Sequence, residues 1–276
     1  RALEKKARFS SIKCGMLIVM LATAFLWGVW VPYKKNKLHV RARMIEMVMP
    51  SRQDAILDTY KSALRIHGLG DSEIRTRLGL FAASGVEIEK ELGEFAVHEL
   101  EREHADDPRN VAITILLAKS HARTRFFETS SVGLEKAEAL FNEAVAIAPK
   151  KPLVYYNFAL FWRAEGDTQK LREELYHIRD LNSDYFLDKE IQWQLGNSFY
   201  LDENYNDAHA VLSAVFERGE WFTTDEQMRA LVLTYTAVDK RTELVERYET
   251  QYRSFVTQFS KAEGAYYMMR FYDALG

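Results

Sequence analysis

Apolar positions follow two patterns along this chain. Over 14–33 (CGMLIVMLATAFLWGVWVPY) they form one run without a charged residue. As a helix rising about 1.5 Å per residue, that run is about 30 Å long, the thickness of a bilayer's hydrocarbon core. From 38 onward the apolar residues recur at helical spacing instead, first at Val40, Met44, Met47 and Val48, a segment that Pro50 closes. The same period predicts helices over 52–66, 72–83, 86–104, 109–128, 134–148, 153–165, 168–181, 189–201, 205–218, 225–238, 242–259 and 261–275. Ser51 stands where an N-cap would open the first of these, and Gly68 and Gly70 where a C-cap would end it. No strand-like alternation interrupts the series.

These helices carry a repeat. From Pro152 the residues Tyr155, Phe158, Ala159, Trp162, Gly166, Leu171, Leu175 and Ile178 occupy the positions of a tetratricopeptide unit. Leu195, Gly196, Phe199, Ala208, Leu212 and Val215 supply the next. The second-helix position runs Ala137, Leu171, Ala208, Leu244, in steps of 34, 37 and 36. A small residue at Ala159 or Gly196 lets the first helix lie close to its partner, and the large residues fill the seam between pairs. The fold class predicted is all-α: a transmembrane helix followed by a tetratricopeptide-like α-solenoid of antiparallel pairs. Its segments are 1–13, basic and pre-membrane; 14–33, the span; 34–50, a juxtamembrane basic helix; and 51–276, the repeats. An insertion around 123–133 stretches one unit.

The flanks sharpen the membrane reading. Trp27, Trp30 and Tyr33 sit where an aromatic belt would, with Lys34, Lys35 and Lys37 able to reach headgroups. A signal peptide would need a shorter apolar core followed by a small-residue cleavage site, and Trp-Val-Pro-Tyr-Lys-Lys follows instead. Residues 1–43 hold ten Lys and Arg against the single Glu4, a net of +9, which leaves −12 for the remainder of a chain whose total is −3. The acidic body argues against nucleic acid as a partner, and the basic collar suits lipid headgroups. Basic residues balance across the span, so orientation is undetermined. The single cysteine, Cys14, leaves the repeats without a disulfide or a thiolate metal site.

Little catalytic chemistry is expected. His98 and His104 are six apart, with Arg102 where a zincin's second histidine would stand, so no metal ligand is assigned. Gly68-Leu69-Gly70 lacks a third glycine at Glu73 and has no strand before it, so no cofactor is expected either. Partner binding is assigned to aromatics. Trp221 and Phe222 fall between helices, while Tyr248, Tyr252, Phe255 and Phe259, followed by Tyr266, Tyr267, Phe271 and Tyr272, form a stripe that either packs the last helices or receives a peptide or glycan. Trp221, Phe222, Tyr252 and Tyr266 are the residues selected for contact with a protein or peptide in the repeat groove.

Several segments together resemble a known family. They are Phe25-Leu26-Trp27-Gly28-Val29-Trp30, the basic helix from Lys34 to Arg43, Ile56-Leu57-Asp58-Thr59-Tyr60-Lys61-Ser62-Ala63-Leu64, Gly70-Asp71-Ser72-Glu73-Ile74-Arg75, Asp107-Pro108-Arg109-Asn110 and Ala148-Pro149-Lys150-Lys151-Pro152. This layout resembles the C-terminal part of bacterial O-antigen ligase or polymerase-like membrane proteins that carry tetratricopeptide repeats. The resemblance implies an appendage of a glycan-transfer enzyme in the bacterial inner membrane, with the catalytic residues in a multi-span region that this sequence does not contain. With Arg1 at the start, it also implies that the span is the last of several. The competing reading is a single-pass membrane-tethered scaffold without an enzymatic part.

Overall fold

The computed structural model of the 276-residue chain describes residues 16, 18–66, 70–84, 87–124, 132–218, 224–258 and 261–275, the backbone alone being described at 251–258, 261–264 and 267. The described residues form helices joined by short turns, with no strand among them, and divide into two compact units, Arg1–Ile147 and Ala148–Gly276.

In the first unit residues 18–25 are α-helical and pass through a π-helical turn, Leu26–Trp30, into α1 (Val31–Val48). The unit continues with α2 (Gln53–Leu64), α3 (Asp71–Ala82), α4 (Lys90–Asp106), α5 (Val111–Thr124) and α6 (Val132–Ile147). Each helix packs against its chain neighbours. The core is the apolar side of this series, with Ile56, Tyr60, Ala63, Ile74, Leu78, Leu92 and Ala96 closed to solvent, and burial of each large side chain stabilises the unit by roughly 1.5–3 kcal/mol.

The predicted span is not seen as such. Residues 14, 15 and 17 lie outside the described ones, and among the described residues no helix is long and apolar enough to cross a membrane. A π-helical turn, Leu26–Trp30, lies within the apolar run, and α1 beyond it carries Lys34, Lys35, Lys37, Arg41 and Arg43, which lower its hydropathy. Sequence also placed a helix start at 38, whereas α1 begins at Val31 with Pro32 in its first turn, where a missing N–H is harmless.

Helix α1 is rooted in the unit through buried polar groups. Lys35 pairs with Asp71 of α3, and burial followed by the nearby Arg75 guanidinium holds the lysine below its usual pKa. The Tyr60 hydroxyl donates to Glu46 Oε1, while Arg77 donates from Nε and Nη2 to Glu46 Oε2 at 2.9 and 2.7 Å. Burial and that same Glu46 push the Tyr60 hydroxyl pKa up. Behind this layer Arg75 donates to Glu99 and Glu103 of α4, each at 3.0 Å.

Ser51 does not cap α2. It lies in a turn, and Arg52 takes the N-cap position without a side-chain bond. Gln53 organises this end instead. Its Nε2 donates to the Glu87 carbonyl at 2.6 Å and its Oε1 accepts from the Glu89 N–H at 2.7 Å, so residues 87–89 stay outside the helix, Glu89 is extended and α4 starts at Lys90. Gly70 has φ +90°, a left-handed conformation suited to glycine, and α3 starts directly after it. Gly68 lies outside the described residues.

The second unit comprises α7 (Pro152–Glu165), α8 (Thr168–Leu181), α9 (Ser183–Phe186), α10 (Lys189–Leu201), α11 (Tyr205–Glu217), α12 (Asp225–Ala237), α13 (Arg241–Gln258) and α14 (Lys261–Leu275). Its boundaries follow from caps. Pro152 opens α7, Gly166 at φ +76° closes it, and the Asp167 carboxylate accepts from the Lys170 N–H at 2.9 Å to start α8. The repeat positions behave as the spacing predicts: Ala159, Leu171, Leu175, Ile178, Ala208, Leu212 and Leu244 are all buried, as is Ala137 in the first unit. The one-turn helix α9 was not foreseen. Inserted between α8 and α10, it accounts for the long step from Ala159 to Gly196.

Candidate functional site

One set of polar and aromatic groups in the second unit comes together at the N-terminus of α12. Thr224 and Gln227 form a capping box there, each side chain accepting from the other residue's backbone N–H. This fixes Asp225 and Glu226 in the first turn, where the helix dipole favours carboxylates. Their side chains stay 75% and 63% exposed, so lone pairs remain open to solvent.

Two arginines from other helices reach this turn. Arg270 of α14 donates from Nε to Asp225 Oδ1 at 2.6 Å and lies over the Tyr266 ring, 5.3 Å from its centroid. The bond to Asp225 holds the guanidinium pKa above its ordinary value. Arg163 of α7 donates to Glu226 at 2.7 Å and stacks on Trp193 of α10 at 4.7 Å. Beneath them Gln227 Nε2 and Gln194 Nε2 donate to the two oxygens of Glu190, at 3.2 and 2.9 Å. Tyr156 lies near Glu190, and burial, then that carboxylate, push its pKa up to about 12. The result is a ribbon of surface groups, Tyr266, Arg270, Asp225, Glu226 and Arg163, with Trp193 buried beneath Arg163. Carboxylate acceptors with solvent-exposed oxygens, guanidinium donors and the half-exposed edge of Tyr266 together suit the N–H and C=O groups of an extended chain.

Of the residues selected from sequence, Tyr266 belongs to this ribbon and is 49% exposed. Tyr252 lies in α13, with only its backbone described. Trp221 and Phe222 lie outside the described residues, in the connection leading to Thr224. The aromatic stripe divides. Tyr248 and Phe271 are fully buried and stack face to face at 3.8 Å, whereas Tyr266 and Tyr272 are exposed. Sequence reasoning missed Arg163, Asp225, Glu226 and Arg270. The signal for two of them was present, since Thr224-Asp-Glu-Gln227 reads as a capping box that must hold its acids at a helix start.

His98 and His104 serve separate places in the first unit. His98, Glu101, His121 and Lys136 line one recess, with His121 Nε2 3.5 Å from Glu101 Oε1. His104 instead lies 3.3 Å from Glu143. Among the described residues no group of three or more His, Cys, Asp or Glu is placed to hold a metal ion. On α8, burial and the neighbouring Glu173 push Glu174 up to about 7.

The architecture is that of a tetratricopeptide-like helical-repeat protein. The chain is similar to a tetratricopeptide repeat protein from Parabacteroides merdae ATCC 43184, with a TM-score of 0.52 and 14% identity over 87% of this chain and 91% of that one. It is also similar to a thermophilic TPR protein of Thermus thermophilus, with a TM-score of 0.49 and 16% identity over 74% of this chain and 98% of that one. The likeness to the first extends to the fold alone. No family model and no curated protein matches the chain.

Proposed function

We propose that this chain is a membrane-tethered protein-interaction module, in which the ribbon at the start of α12 engages an extended segment of a protein partner. The observation that carries the tether is the exposure of the apolar helix entering the first unit. Ile18, Val19, Met20, Leu21, Phe25, Leu26, Trp27 and Val29 all stand open to solvent, on every side of the helix. Monomeric soluble proteins rarely expose an apolar patch beyond a few hundred Å², and an all-round apolar helix needs an apolar surrounding. The flanking Trp30, Tyr33 and Lys34 match a bilayer interface, with Lys34 lying over the Trp30 ring. The segments similar to O-antigen ligase-like proteins support a finer reading: a C-terminal tail of a polytopic glycan transferase in cell-envelope polysaccharide assembly, contributing recognition and no bond-making residues.

Flotation tests the tether. The full chain reconstituted with phosphatidylcholine vesicles should float and resist alkaline carbonate, whereas Leu21→Lys combined with Phe25→Lys should leave it in the dense fraction with unchanged helicity. A wild-type chain that carbonate strips from the vesicles contradicts the reading.

A further inference from the structure

Helix α1 has two opposed faces. Lys35, His39, Ala42 and Glu46, spaced four, three and four apart, are buried against the repeats. On the opposite side Tyr33, Val40, Met44, Met47 and Val48 are exposed, with Met47 at 75%. Val40, Met44, Val48 and Met49 line an apolar recess with Lys37 and Arg41 at its edge. Lys34 and Arg43 are exposed as well. The single acid of α1, Glu46, is turned inward to Tyr60 and Arg77, so the outward face pairs apolar side chains with cations alone.

We infer that this outward face of α1 docks on the anionic headgroup layer of the bilayer, with Met44 and Met47 at the boundary between headgroups and acyl chains. The inference rests on the membrane tether proposed above and adds the geometry of the unit on the surface. Charge complementarity selects the occupant. A second copy laid on this stripe would bring Lys37, Arg41 and Arg43 near their own equivalents, whereas anionic lipid offers each of them a phosphate. An apolar stripe with flanking Lys and Arg is also the signature of a helix lying in the interface plane. A change of direction is available where the aromatic belt marks that plane. The π-helical turn Leu26–Trp30 and Pro32 belong to the kinds of feature at which helix axes bend. Because Lys35–Asp71 and the Glu46 cluster fasten α1 to α2 and α3, laying α1 on the surface would set the orientation of the first unit.

Site-directed fluorescence on the full chain tests this. With Cys14, the single cysteine, replaced by serine, cysteines are placed singly at Met44, Met47 and Leu26 and labelled with bimane. Vesicles of phosphatidylcholine alone are compared with equal parts phosphatidylcholine and phosphatidylglycerol. Labels at 44 and 47 should lose roughly half their emission to a lipid nitroxide placed near the headgroups, in the anionic vesicles only. The label at 26 should be quenched by lipid in both. Quenching at 44 and 47 by aqueous iodide, with no lipid effect and 26 still lipid-quenched, overturns the docking and leaves the tether standing. Protection of 44 and 47 from both quenchers that grows with protein concentration assigns the face to a second copy and also overturns it. Loss of lipid quenching at 26 removes the tether and the inference with it.

Discussion

Arg75→Met destabilises the first unit by about 3–5 kcal/mol, because it leaves Glu99 and Glu103 buried with their shared cation gone. The two carboxylates are 4% and 6% exposed, and Arg75 meets each at 3.0 Å. Arg102 still reaches Glu99 at 3.1 Å. Glu103 has no such second cation among the ion pairs described. The methionine fills most of the arginine's stem volume, so the loss is electrostatic rather than a cavity. Adding Glu99→Gln and Glu103→Gln should recover a large part of it, since neutral amides can be buried at lower cost. Hydrogen exchange read by mass spectrometry over α3 and α4 is the measurement, as it isolates this unit from the other. Unchanged protection in Arg75→Met would show that the network carries no net weight.

Gly196→Val has the second large effect, a loss of about 3 kcal/mol in the second unit. A Cβ at this position would stand 2.6 Å from Leu212 Cγ and 2.5 Å from its Cδ2, and Leu212 is completely buried, so the leucine cannot retreat without displacing α11 from α10. The alanine variant loses less, because replacing glycine in a helix interior returns about 1 kcal/mol. Leu212→Ala placed in the valine background should restore part of the protection of α10 and α11 to hydrogen exchange. Equal protection in wild type and Gly196→Val would contradict the close approach that defines this repeat.

Gly196 also shows what the sequence made legible. A small residue at the first-helix position and a large one at the second form a local rule of fixed spacing, and the structure places Ala159, Gly196, Leu171 and Leu212 as that rule requires. Helix existence and order were likewise readable from periodicity. Two kinds of feature were not. Short elements such as α9 and the π-helical turn lack the length that a period needs in order to register. The candidate site is built from Arg163, Asp225, Glu226 and Arg270, brought together from α7, α12 and α14 by tertiary packing alone. Each of these looks like an ordinary surface charge in the sequence. Tyr266 was selected because it lies on an aromatic stripe, yet its stripe-mates Tyr248 and Phe271 went to the core. Helical phase decides between those fates, and the stripe was too broad to reveal it. Glu46 and Lys35 were hidden for the same reason. Lys35, read as a member of a basic collar, and Glu46, which the sequence did not single out, prove to be buried links between α1 and the repeats.

Recognition by the α12 ribbon is the central claim, and a photo-crosslinker tests it most directly. With p-benzoylphenylalanine replacing Tyr266 in the full chain, irradiated in its native membranes, a discrete protein adduct should form, and Arg163→Glu combined with Arg270→Glu should abolish it. The same probe at Leu201, an exposed position at the C-terminal end of α10, should give none. Equal adducts at Tyr266 and Leu201, or no adduct at either, would contradict the assignment of this surface to partner binding.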